Sequence, residues 1–359
     1  MENKTLIMNP PAHAKPPVIF GIQSDTAFTD TAKGLTGRDL ISIADLSVAE
    51  MAAIMELSHA VKTAPEDFRH ALDARQMVLI FEKESLRTRL TFETGMNTVG
   101  GNALFIDQTK SPLGERESIP DIARNLERWM QIIVLRTYAH ETILEMAAAS
   151  RVPVINALSD LEHPCQAIAD FMTLEERFGS LEGLKFTYVG DGNNVCHSLM
   201  LTGALLGVHV TVATPKGFAP KLEIVHKAIE IAEQTGGSLT LTSDPVKAAT
   251  HADAIYTDVC TSMGQEHEAA RRAPIFKPFQ VNEDLMAHAQ DSAVFMHCLP
   301  AHRGAEVTDA VLDGPQSVVF DQAENRMHAQ KAITLMLLGG AKRIPTNRNR
   351  GGLQARTKR

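Results

Sequence analysis

Residues 81–93 read Phe81-Glu-Lys-Glu-Ser-Leu-Arg-Thr-Arg-Leu-Thr-Phe-Glu93, and this stretch decides the fold. It follows Gln76-Met-Val-Leu-Ile-Phe81, a short apolar run of buried-strand type. After it, Leu86, Leu90, Phe92, Met96 and Val99 recur at roughly helical spacing until Gly100-Gly101 ends the pattern. Ser85 is therefore a natural N-cap at a strand-to-helix turn. The first backbone N–H groups of such a helix have no partner inside it, and the macrodipole favours an anion there. Arg87 adds a planar fork of donors, and Ser85 and Thr88 add hydroxyls. Four kinds of donor at one helix start make a phosphate cradle. The plain alternative is a capped helix with two solvated arginines, and the motif alone does not separate the two.

Working outward, strands and helices alternate. Ala103–Ile106, Ile132–Leu135 and Val152–Ile155 read as strands, with helical runs at 47–62, 119–130 and 141–149. Past a helix at 167–177 a second series follows. Its strands are expected at 186–189, 208–213, 238–241, 254–257 and 293–296, separated by helical runs at 195–206, 220–234, 244–250 and 282–289. Ser317–Phe320 reads as a last short strand before a closing helix from 324 to 338. This alternation implies an α/β chain of two doubly wound domains with parallel sheets.

The expected division is a mobile N-terminal arm over 1–36, a first domain over 37–163 and a second over 164–322. A closing helix over 323–341 packs back on the first domain, and 342–359 is a basic disordered tail. In open α/β sheets ligands bind beyond the carboxyl ends of the strands. Ser85 to Arg89, Arg136, His163-Pro-Cys-Gln166, Gly190-Asp-Gly-Asn-Asn194, Asp258 and His297-Cys298 all lie at or shortly after such ends. The expected site is thus a cleft between two domains whose strand ends face each other.

Composition narrows the function. The chain has 359 residues, 44% hydrophobic and 22% charged, enough for two cores. Its net charge of −8 argues against general nucleic-acid binding. No apolar run reaches the length of a membrane span, and no charged-then-apolar signal peptide opens the chain. Cys165, Cys196, Cys260 and Cys298 are scattered, without a C-x-x-C pair, which fits reduced thiols in a cytoplasmic protein. Gly190-Asp-Gly-Asn-Asn-Val195 lacks the third glycine of a dinucleotide fingerprint, and no acid closes the next strand. His297 to Arg303 carries metal-capable side chains, but no second cluster completes a zinc site, so neither a metal nor an organic cofactor is expected.

Four motifs in order resemble a known family. S-L-R-T-R at 85–89, H-P-C-Q at 163–166, D-x-x-x-S-M-G at 258–264 and H-C-L-P-x-H-R-G at 297–304 are similar to ornithine carbamoyltransferases, a branch of the aspartate/ornithine carbamoyltransferase family. The likeness runs from about residue 38 to 340. Leu86 stands where the family usually has Thr, and Pro112 where many members have a polar side chain. The resemblance implies transfer of the carbamoyl group of carbamoyl phosphate to the δ-amine of L-ornithine, giving citrulline. It implies a carbamoyl phosphate site of Ser85, Leu86, Arg87, Thr88, Arg136, His163 and Gln166, completed by Cys298, Leu299 and Arg326. Ornithine is expected on Asn194, Asp258, Ser262 and Met263, with Arg136, His163, Asp258 and Cys298 as the catalytic groups. A homotrimer or a multiple of it is the family's usual assembly. Two rivals stand beside this reading: a carbamoyltransferase for N-acylornithine, putrescine or aspartate, and a non-catalytic phosphate-binding regulator on the same fold.

Overall fold

A computed structural model describes residues 6–7, 25–261 and 268–342. Along the chain, strand β1 (Leu6–Ile7) precedes helices α1 (Asp25–Leu35) and α2 (Val48–Thr63). The first sheet's unit follows as β2 (Gln76–Phe81), α3 (Leu86–Thr98), β3 (Asn102–Asp107), α4 (Ile119–Trp129), β4 (Ile132–Arg136), α5 (His140–Ala149) and β5 (Val154–Leu158). Helix α6 (Pro164–Phe178) leads into β6 (Lys185–Val189), α7 (Asn194–Leu205), β7 (His209–Ala213), α8 (Leu222–Thr235), β8 (Ser238–Thr242), α9 (Pro245–Ala249) and β9 (Ala254–Thr257). The chain closes with α10 (Ala269–Phe276), α11 (Glu283–Met286), β10 (Val294–His297), α12 (Asp309–Leu312) and α13 (Val319–Leu337).

Two sheets result. The first has the order β3-β2-β4-β5 and is parallel throughout. The second has the order β1-β8-β7-β6-β9-β10, parallel except for β1, which pairs antiparallel to β8 at the edge. Strands β2, β4, β5, β6 and β9 are buried almost without alternation, as apolar runs must be when helices cover both faces. Edge strand β3 instead alternates between exposed and half-buried residues. One core joins the inner faces of both sheets through α6 and α13, and α13 also lies against α2 and α3. The chain is therefore an α/β protein of two doubly wound, largely parallel sheets.

Each sheet reverses its winding at one place. In the first, the chain goes from β2 to β3 on one side and then to β4 on the other. In the second, it goes from β6 through β7 to β8 and returns to β9 on the far side of β6. The crevices beyond β2/β4 and β6/β9 are the topological switch points where such sheets bind ligands.

Three expectations need correction. A mobile arm over 1–36 does not describe 25–35, which is helix α1 with Phe28, Ala32 and Leu35 buried in the core. Those three recur at helical spacing, and the polar, proline-bearing residues before them masked the pattern. Ser317–Phe320 is no strand: Ser317 makes a single bridge to Phe295, and α13 begins at Val319. Phe320 is exposed on its first turn, so tertiary context overrides a β-branched run. The fourth strand of the first sheet is displaced from 152–155 to Val154–Leu158. Pro153 has no N–H for the ladder and contributes its carbonyl to Ile133 N–H instead. Of the expected tail over 342–359, residues 343–359 lie outside the described residues.

Candidate active site

The anion cradle forms at the first switch point. Ser85 caps α3, accepting from Thr88 N–H at 3.2 Å and donating to Thr88 Oγ1 at 2.9 Å. Leu86, the first helical residue, has its side chain 72% exposed, so only its backbone can serve the cradle. Arg136 ends β4 and is buried, its Nε donating to Lys83 O at 3.2 Å. Arg326 reaches in from α13, donating through Nη2 to Thr88 Oγ1 at 2.5 Å. Nε of Arg87 and of Arg326 is buried with no partner among the described residues.

Burial lowers the pKa of all three arginines. For Arg136 the next largest causes include the neighbouring Arg326 and Arg87 charges. No carboxylate forms an ion pair with any of the three among the described residues. An unpaired buried charge costs several kcal/mol. A dianion seated among the three arginines would remove that cost.

His163 and Gln166 sit beside this cluster at the start of α6. His163 is the N-cap, with Pro164 fixing the first turn, and its backbone N–H donates to Ser198 Oγ at 2.9 Å. The ring is buried, and burial together with Arg326 and Arg136 holds its pKa well below the ordinary value. His163 is thus a neutral imidazole able to donate one N–H, and its Nδ1 has no partner among the described residues. Gln166 is buried with Nε2 donating to Asp170 Oδ1 at 2.7 Å, while its Oε1 is unpartnered among the described residues.

At the second switch point the turn after β6 passes close to another segment. A Cβ on Gly192 would stand 2.3 Å from Pro220 N, so only glycine fits there. Asn193 caps α7 through Oδ1 and donates through Nδ2 to Asp258 Oδ2 at 2.8 Å, bridging the ends of β6 and β9. Cys298 Sγ lies 3.1 Å from Asp258 Oδ1. Asn194 begins α7 with Nδ2 on Ser159 O at 2.7 Å. Leu299 takes φ +57°, a left-handed conformation unusual for a bulky residue, and its N–H donates to His297 Nδ1 at 2.8 Å. Ser262 and Met263 lie outside the described residues.

Asp258, His297 and Cys298 bring three possible metal-ligand atoms within 4.8 Å of one another. Their neighbours already engage them: the thiol donates to Asp258, His297 Nδ1 accepts from Leu299 N–H, and His297 Nε2 lies 3.3 Å from Glu306 Oε1. The cluster reads as a support for the strand end, held by hydrogen bonds and the Glu306 contact.

Sequence reasoning placed the two groups of residues at facing strand ends. It placed Asn193 only within the Gly190–Asn194 run beyond a strand end, and gave Asp170 and Gln322 no part. Asp170 and Gln322 act across the fold and leave no local signal.

Comparison with known proteins agrees with this geometry. Residues 38–176 match the family described as aspartate/ornithine carbamoyltransferase, carbamoyl-P binding domain, and residues 182–337 match its Asp/Orn binding domain. An ornithine carbamoyltransferase from Pyrococcus horikoshii is 50% identical over 310 residues, 86% of this chain and 98% of that protein. One from Rhodococcus jostii is 51% identical over 295 residues, 82% of this chain and 94% of the relative. The solved ornithine carbamoyltransferase from Pyrococcus furiosus superposes with a TM-score of 0.83 at 49% identity, covering 86% of this chain and 99% of that one. With both halves matched and the two switch-point clusters in place, the chain belongs to the aspartate/ornithine carbamoyltransferase family.

Proposed function

We propose that the chain is an ornithine carbamoyltransferase, moving the carbamoyl group of carbamoyl phosphate to the δ-amine of L-ornithine to give citrulline and phosphate. The observation that carries this reading is the pairing of an unneutralised arginine cluster at one switch point with the Asp258–Cys298 pair at the other.

Each group has a task in that reaction. Ser85, Arg87, Thr88 and the Leu86 backbone hold the phosphate. Arg136, His163 and Thr88 meet the carbonyl oxygen, and Cys298, Leu299 and Arg326 complete the pocket around it. Gln166 Oε1, an unpartnered acceptor, takes the carbamoyl NH2. Asp258 takes the α-ammonium of ornithine and Asn194 its carboxylate, with Ser262 and Met263 added by family resemblance. The deprotonated δ-amine then attacks the carbonyl carbon. Negative charge grows on the carbonyl oxygen, where Arg136 and neutral His163 are already aimed, and such preorganised donors supply the largest part of catalysis. Collapse breaks the C–O bond, and phosphate departs with the proton that the amine loses. Positioning and electrostatics suffice, since phosphate is a good leaving group.

A homotrimer, or a multiple of it, is part of the proposal. Leu104 and Ile106 are 51% and 38% exposed on one face of edge strand β3, an apolar edge suited to a second copy. No described helix is long and apolar enough to cross a membrane. Four cysteines without a disulfide fit a reducing cytoplasm. Citrulline formation from carbamoyl phosphate and ornithine tests the activity, and sedimentation of the purified protein tests the assembly.

A further inference from the structure

Asp170 lies one helical turn beyond Gln166 on α6 and is fully buried. Its Oδ1 accepts from Gln166 Nε2 at 2.7 Å and from Gln322 Nε2 of α13 at 2.8 Å. Gln322 Oε1 in turn accepts from the His297 backbone N–H at 3.0 Å. One carboxylate oxygen therefore gathers the glutamine on the carbamoyl side and the strand end that carries Cys298 and Leu299. The chemistry described above makes no use of Asp170.

An ionised carboxylate accepts hydrogen bonds and cannot donate them. A primary amide that faces it must present its NH2, which turns its carbonyl oxygen away. The Gln322 oxygen then meets His297 N–H. The Gln166 oxygen is left buried and without a partner among the described residues, a vacancy that an amide NH2 fills.

We propose that Asp170 is a positioning residue, which fixes the carbonyl of Gln166 as the acceptor for the carbamoyl NH2 and ties that acceptor to the Cys298–Leu299 segment. This rests on Gln166 binding the carbamoyl amide. Burial pushes the Asp170 carboxyl up to about 6, against the bonds from Gln322 and Gln166, and the two NH2 groups that converge on its Oδ1 favour the ionised form. A neutral carboxylic acid at this place could donate to either glutamine and the orientation would be lost.

A donor–acceptor exchange tests it. Gln166→Ala checks the underlying reading: unchanged kcat/KM for carbamoyl phosphate means Gln166 does not bind the substrate. Asp170→Asn should lower that kcat/KM by at least about tenfold, the worth of one hydrogen bond, because an amide at 170 no longer dictates which way Gln166 faces. Gln166→Glu sets carboxylate against carboxylate and should lower it by about a hundredfold. The double variant Gln166→Glu/Asp170→Asn restores one donor facing one acceptor and should recover about tenfold or more over Gln166→Glu. Gln166→Glu alone gives a second readout that leaves Asp170 in place. Its activity relative to the unaltered enzyme should climb as pH falls from about 8 to about 6, when the two carboxylates come to share a proton. Tyr256 and Arg326, which also face Asp170, are common to both enzymes and cancel in the ratio. Lack of recovery in the double variant, or a pH-independent ratio, overturns the proposal while leaving the Gln166→Ala result to judge the substrate site.

Discussion

Cys298 Sγ donates to Asp258 Oδ1 across 3.1 Å, while Asn193 holds the other oxygen of the same carboxylate at 2.8 Å. Asp258 is thereby oriented from two sides at the second switch point. Burial, and next the Asp258 charge, hold the Cys298 thiol well above its usual range, so it remains S–H and serves as donor. Cys298→Ser keeps a donor and should leave kcat/KM for ornithine within about tenfold. Asp258→Asn removes the charge that faces the α-ammonium and should cost at least about a hundredfold. Steady-state kinetics of the two variants side by side checks the ranking; a greater loss for Cys298→Ser would mean that the sulfur does covalent work.

The arginines of the first switch point should separate kinetically. In the proposed site Arg87 would meet phosphate in ground and transition states alike, so Arg87→Ala should chiefly raise KM for carbamoyl phosphate. Arg136 would also meet the charge that grows on the carbonyl oxygen. Arg136→Ala should lower kcat by about a hundredfold or more, as for a lost oxyanion donor. Equal, small changes in both parameters for both variants would contradict this division.

Leu86 tests the backbone character of the cradle. Its exposed side chain contributes no donor, so in the proposed cradle the helix-start N–H would carry the contact. Leu86→Thr should change carbamoyl phosphate affinity by no more than about tenfold. Equilibrium binding of carbamoyl phosphate decides; a far larger gain would show a cradle built for some other anion.

Glu162, beside His163, is buried and accepts from Ile43 N–H at 3.1 Å and Ser198 Oγ at 3.1 Å, with Ser42 Oγ on its other oxygen. Burial raises its pKa from 4.5 to about 7. Between those values the folded chain holds a proton that the unfolded chain has lost. Stability from this group therefore falls as pH rises through that window. Glu162→Gln mimics the protonated form: its amide can donate to Ser42 and accept from the other two. Relative to the unaltered protein, the variant should gain stability between about pH 4.5 and about pH 7, by on the order of 3 kcal/mol. Urea unfolding across that range measures it, and parallel pH curves would contradict it.

Much of this site was legible because its residues follow strands whose apolar runs are unmistakable. Ser85 after β2 and Arg136 at the end of β4 needed only the strand assignment and the rule that ligands sit beyond strand ends. Adjacent asparagines were harder. Asn193 and Asn194 both begin a helix, but about 100° of rotation sends one to Asp258 and the other to Ser159, and nothing local tells them apart. Asp170 and Gln322 are separated by 152 residues and meet only because α13 returns across α6. A buried polar pair of that kind leaves no periodic trace. Helix α1 was readable from Phe28, Ala32 and Leu35 but was hidden by the composition around it.

The central claim is that this cleft selects free L-ornithine. Asp258 needs a cation to face it, and an N-acylated amine leaves that desolvated carboxylate unpaired, at a cost of several kcal/mol. Putrescine has no α-carboxylate for Asn194, and aspartate places a second carboxylate near Asp258. The most direct measurement is kcat/KM with saturating carbamoyl phosphate for L-ornithine, N-acetylornithine, putrescine and aspartate. The expected result is a preference for L-ornithine of at least about a hundredfold over each of the others. A higher value for N-acetylornithine or putrescine than for ornithine would contradict it and leave only the carbamoyl phosphate half standing.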